Sequence, residues 1–346
     1  MQKSICYILF SFFIYSAGYG QDIHFSQYYN APLLLNPAAT GASSQDYRVA
    51  CNYKDQWKSI TNAYRTMAVS FDIKTFKTGR DKKNYLGIGL SVFTDKAGKS
   101  KLSTTQGNLY LAYNLRVNRS NSFSAGLTGG FTQRSIITND LKWDNQFDGN
   151  AYDPARATGE NYAAQKTMRM DIGAGLLWRF YDKVSQFRLE LGGSVSHINR
   201  AKQSFYTNAY PITMKYAGHL NSQIKLGDKP VFICPQFIYI LQKPYTEMIA
   251  GGSVKYILGQ ETRSGASLNT FSLISSAIEL GVYYRMKDAV VIAASLEYRK
   301  SISIGISYDV NTSKLNNATR YRGGMELSLI YRGLYNRRGM KHVPLD

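Results

Sequence analysis

Five acidic side chains crowd one short stretch of this 346-residue chain. NDLKWDNQFDGNAYDPARATGE, residues 139–160, carries Asp140, Asp144, Asp148, Asp153 and Glu160. Oxygen ligands at such spacing can hold calcium. The spacing departs from an EF-hand loop, and Lys142 and Arg156 dilute the charge. A solvated loop is therefore the expectation, with a calcium site as the alternative. The four histidines, His24, His197, His219 and His342, have no cysteine partner and no HExxH or GxSxG setting, so they read as ordinary polar residues. Glycines in GIGL and GLTGGF precede no helix, so they form no phosphate loop. Cys51 and Cys234 are isolated; they are either a disulfide or two small buried residues. Glu279, Glu297 and Glu326 could share one lumen, with Arg285 and Arg299 as ion-pair partners. No clustered Ser/His/Asp set is present. No enzyme, metal or cofactor is expected.

The elements that position these charges alternate with period 2. In FSAGLTGGF, Phe123, Ala125, Leu127, Gly129 and Phe131 share one face, opposite Ser124, Gly126, Thr128 and Gly130. GNLYLAYNL, RLELGGSVSH and SISIGISYD repeat the pattern. From Tyr47 onward the chain divides into about fourteen such segments, each near the ten residues of a tilted strand crossing a bilayer. The apolar faces end in aromatics: Tyr113, Trp178, Tyr284, Tyr298, Tyr308 and Tyr331. The opposite faces carry charges inside strands: Asp171, Glu190, Glu279, Arg285, Glu297, Arg299 and Glu326. A sandwich core would pay heavily for these, whereas a wet or protein-filled lumen accepts them. The expected fold is all-β, an outer-membrane transmembrane antiparallel β-barrel of about 14 strands. Turns at 117–121, 181–185 and 227–230 are short and loops 137–167 and 198–211 long, as in bacterial barrels. The long 258–271 and the short 286–288 break that alternation.

The chain opens MQKSICYILFSFFIYSAGYG. Lys3, an apolar stretch Ile5–Tyr15 and the small Ala17, Gly18 and Gly20 read as a signal peptide, residues 1–20, cleaved after Gly20. The formal charge is +19, and Lys3 is the leader's one charge. Such basicity suits nucleic acid, lipid head groups or an acidic protein partner, and export removes nucleic acid. The 27 tyrosines and 29 glycines beside 8 prolines suit an exported all-β chain. The expected organisation is a leader, an N-terminal periplasmic cap or plug over 21–46, a barrel over 47–335, and a basic tail over 336–346 with Arg337, Arg338 and Lys341.

FSQYYNAPLLLNPAATG, Phe25 to Gly41, fits neither period 2 nor period 3.6. Pro32 and Pro37 make it a poor strand. Its apolar residues need burial that a barrel wall could supply. It reads as an ordered cap or partial plug, or as a stiff lead-in on the rim.

These residues also carry a resemblance. HFSQYYNAPLLLNPAATG, YRVACNYKDQW and Phe71–Asp72 resemble the start of the PorP/SprF family of outer-membrane proteins of Bacteroidetes type IX secretion and gliding. Tyr298–Tyr331 resembles the family's ending. The matching positions are Phe25, Ser26, Gln27, Pro32, Leu35, Asn36, Pro37, Thr40 and Gly41, then Trp57 and Asp72, then Tyr308, Asp309, Asn311, Gly323, Gly324 and Glu326. The chain departs from the family's Cys-Pro-containing tail, ending HVPLD. The resemblance implies an integral outer-membrane barrel that binds a secreted cargo protein with a type IX C-terminal domain, anchoring or helping to secrete it. Periplasmic components of the same system and outer-membrane lipid are further expected partners. Partner-binding candidates are Phe25, Ser26, Gln27, Asn36, Pro37, Glu190, Glu279, Arg285, Glu297, Arg299 and Glu326. The alternative is a diffusion channel for small solutes.

Overall fold

A computed structural model describes residues 22–56, 64–78, 84–98, 101–138, 141–160, 164–206, 210–258, 276–313 and 320–335. The expected leader, the basic tail, Trp57 and Asp140 lie outside the described residues.

Fourteen strands close into one antiparallel barrel. They are β1 (Tyr47–Gln56), β2 (Tyr64–Thr78), β3 (Asn84–Ala97), β4 (Leu102–Arg116), β5 (Asn121–Ser135), β6 (Lys166–Asp182) and β7 (Phe187–Ser196). β8 (Lys215–Lys225), β9 (Val231–Gln242), β10 (Tyr245–Leu258), β11 (Ser276–Arg285), β12 (Ala289–Tyr298), β13 (Ile302–Asn311) and β14 (Arg322–Gly333) complete it. The seam is an unbroken ladder in which Tyr47 faces Gly333 and Gln56 faces Gly324. No sheet edge is left between first and last strands, which is the condition for spanning hydrocarbon with strands.

Burial decides between lipid and water outside. Leu109, Leu127 and Leu176 are 68%, 64% and 67% exposed, while Asn114, Ser307 and Glu326 are at most 2% exposed. Large apolar side chains point out and polar ones point in, the reverse of a soluble sandwich and the pattern of a membrane barrel. Outward aromatics mark both ends of the wall. Tyr113, Trp178, Tyr298 and Tyr331 lie near the end where β1 begins, and Tyr284 and Tyr308 near the other.

The two ends differ. β1 starts at the short-turn end, which carries the tight turns 117–120, 183–186 and 299–301. The opposite, long-loop end carries 136–165 and 197–214. β10 ends and β11 begins at the short-turn end, with 259–275 between them outside the described residues, and 286–288 is a tight turn at the long-loop end. Cys51 and Cys234 are both free.

Candidate functional site in the lumen

Residues 22–46 run inside the barrel. Asp22 sits at the long-loop end against His197 and Lys215, and Asp46 reaches the short-turn end, where its amide donates to Gly333 O at 2.9 Å. Sequence dictates the broken path. Pro32 opens a single helical turn, Pro32–Leu35, and Pro37 opens a 3-10 turn, Pro37–Ala39. A proline at the first position loses no bond there. Asn36 caps the second turn by accepting the Ala38 amide at 2.9 Å.

Three apolar clusters join the segment to the wall. Tyr28 packs with Ile238, Ile249, Tyr283 and Val291. Phe25 and Ala31 pack with Ala68 and Phe93. Ala38 and Ala39 pack with Leu177. Inward glycines make room for this. A Cβ on Gly126 would lie 2.5 Å from the Ala38 nitrogen and the Pro37 carbonyl. On Gly87 it would strike the Thr40 carbonyl. Sequence reading took these glycines as part of strand alternation. The usable signal was glycine at these inward positions beside a segment that needed space.

Polar contacts complete the anchoring. Glu326 accepts the Ser26 amide at 2.7 Å and the Gln27 amide at 3.0 Å, and pairs with Lys54 at 3.1 Å. The Ser26 hydroxyl donates to Asp309 at 2.9 Å, and Arg285 reaches both Ser26 (2.8 Å) and Asp309 (2.6 Å). The Gln27 amide side chain donates to Ser307 at 3.0 Å. Asn36 donates to Leu176 O at 2.9 Å. Lower down, Asp72 accepts the Gly41 amide at 2.7 Å and holds Arg48 at 2.8 Å. The two matching motifs, some 300 residues apart, therefore meet inside the lumen.

Of the candidate partner-binding residues, Ser26, Gln27, Arg285 and Glu326 come together, while Phe25, Asn36 and Pro37 are buried at separate places along the wall. Glu190, Glu279 and Glu297 line the lumen toward the short-turn end. Glu190 accepts from Asn221 at 3.2 Å, Glu279 from Ser253, and Glu297 pairs with Lys255 at 3.1 Å. The expected pairing of Glu279, Glu297 and Glu326 with Arg285 and Arg299 is corrected: Lys54 supplies the cation for Glu326 and Lys255 that for Glu297. Lys54 and Glu326 are direct register partners across the seam, so the closing register was the signal. Arg299 is also corrected. It lies in the exposed turn after β12 with φ +50°, its guanidinium 5.1 Å from the Tyr298 ring. Arg299 and Lys300 both take positive φ in this tight hairpin. Neither is the Gly or Asn that usually announces one.

At the long-loop end a cavity of about 970 Å³, open mouth included, separates the segment from the wall. Phe25, Leu34, Phe93, Ile238 and Ile249 form its apolar side, and Asp22, His24, Asp171, His197, Lys215 and Glu247 its polar side. His24 is pushed well below the ordinary imidazole range, first by burial and then by the cations Lys54, Arg285 and Lys215. His197 goes the other way. Burial opposes its charge, but the carboxylates of Asp22 and Asp171 outweigh burial and raise its pKa. In the loop 136–165, Asp148 accepts the Asn150 and Ala151 amides, Asp153 accepts the Ala155 amide, and Glu160 accepts from the Tyr206 hydroxyl. Among the described residues, no group of acids, histidines or cysteines is arranged to hold a metal ion.

The family model described as type IX secretion system membrane protein PorP/SprF matches residues 17–331. The chain belongs to the PorP/SprF family. It is an outer-membrane barrel protein of type IX secretion. A comparison with curated proteins gave no match. Solved barrels are similar at low identity. A FadL homologue from Pseudomonas aeruginosa is 11% identical, with a TM-score of 0.46, over 86% of this chain and 92% of that one. The toluene transporter TodX of P. putida is 10% identical, with a TM-score of 0.47, over 89% and 95%. BamA from Haemophilus ducreyi, lacking POTRA domains 1–3, is 6% identical, with a TM-score of 0.42, over 83% and 70%.

Proposed function

We propose that this PorP/SprF protein holds an exported protein at the cell surface, engaging the cargo's C-terminal domain at the long-loop end. Long loops of bacterial barrels face outward, so that end faces the surface and the start of β1 faces the periplasm. The observation that carries the reading is the filled lumen. Residues 22–46 occupy it along its length and are tied to both ends of the wall. A plugged barrel suits a docking platform better than a solute pore. The leader 1–20 is removed on export. Phe25, Ser26, Gln27, Asn36, Pro37, Arg285 and Glu326 act by fixing the plug that supports the docking surface. Glu190, Glu279 and Glu297 face periplasmic components.

The test is a mild-detergent pull-down of the tagged protein from its native outer membrane, with mass spectrometry of its companions. A large secreted protein attached through its C-terminal domain supports the anchor. A companion-free barrel that conducts ions in planar bilayers overturns it in favour of the channel. Deleting 25–41 should abolish cargo retention while leaving a folded barrel.

A further inference from the structure

One histidine in the lumen faces a carboxylate with each ring nitrogen. His197 Nδ1 lies 2.8 Å and 2.7 Å from the two Asp171 oxygens, and Nε2 lies 2.6 Å from Asp22 Oδ2. A neutral imidazole carries one N–H, so its other nitrogen would turn a lone pair toward a carboxylate. The imidazolium alone donates to both.

The groups facing this pair come from every side. From β8, Lys215 lies 3.2 Å from the same Asp22 oxygen. From β6, Arg169 lies 3.8 Å from Asp171 and donates to Gln203 at 3.0 Å. Arg134 on β5 adds positive potential at Asp22 and Arg169. Gln106 on β4 donates to Asp171 at 3.3 Å. Gln242 on β9 accepts the Asp22 amide at 3.1 Å, and Glu247 on β10 lies 3.4 Å from His24. His24 is the strap's other titratable side chain, and burial with the surrounding cations disfavours its charge.

Residues 22–24 form a strap over the lumen. They line the main cavity on one side and a smaller pocket with Ile240, Gln242 and Tyr245 on the other. The next anchors are the His24 carbonyl, which accepts from Lys54 at 3.1 Å, and then the Ser26 and Gln27 amides on Glu326.

The geometry points to a proton-controlled latch: imidazolium His197 clasps Asp22 against the barrel wall at the long-loop end, and loss of its proton frees Asp22 and Ile23 and opens the cavity beneath. With the clasp gone, Lys215 alone remains on an Asp22 side chain already 26% exposed, and Gln242 holds only the Asp22 backbone amide. The latch governs access to the cavity whatever the cargo is, so it stands or falls apart from the anchor reading.

The test places a cysteine at Ile23 in the full chain, with Cys51 and Cys234 changed to serine. The probe is a charged maleimide applied to the purified barrel. Rates are divided by those of a reference cysteine at Ser185 in the exposed turn at the other end, which removes the thiol's own pH dependence. The deprotonated fraction rises by up to tenfold per pH unit below a pKa and levels off above it, so the normalised rate should climb severalfold between pH 6 and pH 9. His197→Gln should remove the climb. Asp22→Asn should hold the rate low throughout. In that variant the new carboxamide donates to the neutral ring's lone pair while the ring N–H donates to Asp171. A flat profile in the parent, or a climb that survives His197→Gln, overturns the latch. If the cysteine variants fail to fold, hydrogen exchange of the unmodified chain decides. Peptide 22–27 should lose protection relative to 36–41 as pH rises, and equal protection across the range overturns the latch equally.

Discussion

Replacing Glu326 with glutamine isolates the contact that joins the first described residues to the last strand. The carboxylate is 1% exposed and has three donors: the Ser26 amide, the Gln27 amide and Lys54. Glutamine keeps the volume but offers one acceptor oxygen. Its NH₂ must face either a backbone N–H or the Lys54 ammonium, both of them donors. A buried donor left without a partner costs about 1–3 kcal/mol. Removing one member of a buried ion pair costs about 3–5 kcal/mol, because the survivor stays charged. These effects share partners and do not add in full. A loss of about 4 kcal/mol in segment docking follows, roughly a thousandfold in the open population. The strand ladders do not depend on Glu326, so the barrel should stay folded while the segment loosens. Limited proteolysis reads the segment, and the heat-induced mobility shift on gels reads the barrel. Lys54→Met added to Glu326→Gln should recover part of the loss by removing the stranded cation. Proteolysis of the single variant at the parent's rate would refute the reasoning, and so would a double variant worse than the single.

Four other outcomes are expected. Gly126→Val puts a side chain where the Ala38 nitrogen and Pro37 carbonyl now lie; the 3-10 turn should be displaced and planar-bilayer conductance should rise above the parent's. Asn36→Ala removes the cap on Ala38 and the bond to Leu176 O. It should weaken docking by about 1–2 kcal/mol, seen as faster proteolysis within 25–41. Raising the folded-state pKa of His197 stabilises the barrel fully below the unfolded value of about 6.5, and the gain is lost as pH climbs through the higher folded value. The heat-shift midpoint should fall from pH 6 to pH 9, and His197→Gln should flatten that part of the profile. Lys255→Met strands Glu297, its partner at 3.1 Å; both side chains keep about a fifth of their exposure, so the loss should stay within about 1 kcal/mol on the same midpoint.

The wall was legible in sequence because a bilayer imposes one rule on every strand. Leu109, Leu111 and Tyr113 must face lipid, Tyr110, Ala112 and Asn114 must not, and a period of 2 records it. Arg299 was less legible, read as a charge inside a strand although it lies in a turn that lacks the usual Gly or Asn. The lumen was half legible. Phe25–Gly41 announced itself by fitting no period, and its matching motif named Ser26, Gln27 and Glu326. Which groups they touch depends on closure of the seam, which sets Lys54 beside Glu326. His197 read as an ordinary polar residue because its carboxylates come from Asp22 and Asp171, far apart in sequence. Local pattern carries no trace of such a meeting. The same distance hid the purpose of Gly87 and Gly126.

The closed seam has a consequence for assembly. Residues 22–46 lie within a ring whose wall is hydrogen-bonded all the way round. A ring completed empty would have to admit this stretch lengthwise, past Phe25, Tyr28 and Leu33, with nothing yet holding it. The simpler order keeps the early residues cradled on the concave side of a growing, still-open sheet. β14 arrives last and carries Glu326, which receives the Ser26 and Gln27 amides. The same strand that zips against β1 thus also locks in the oldest part of the chain. The slow event in biogenesis is then that single joint step, with contacts spanning some 300 residues. A chain stalled before it would expose both an unpaired sheet edge and an undocked apolar segment to the periplasm.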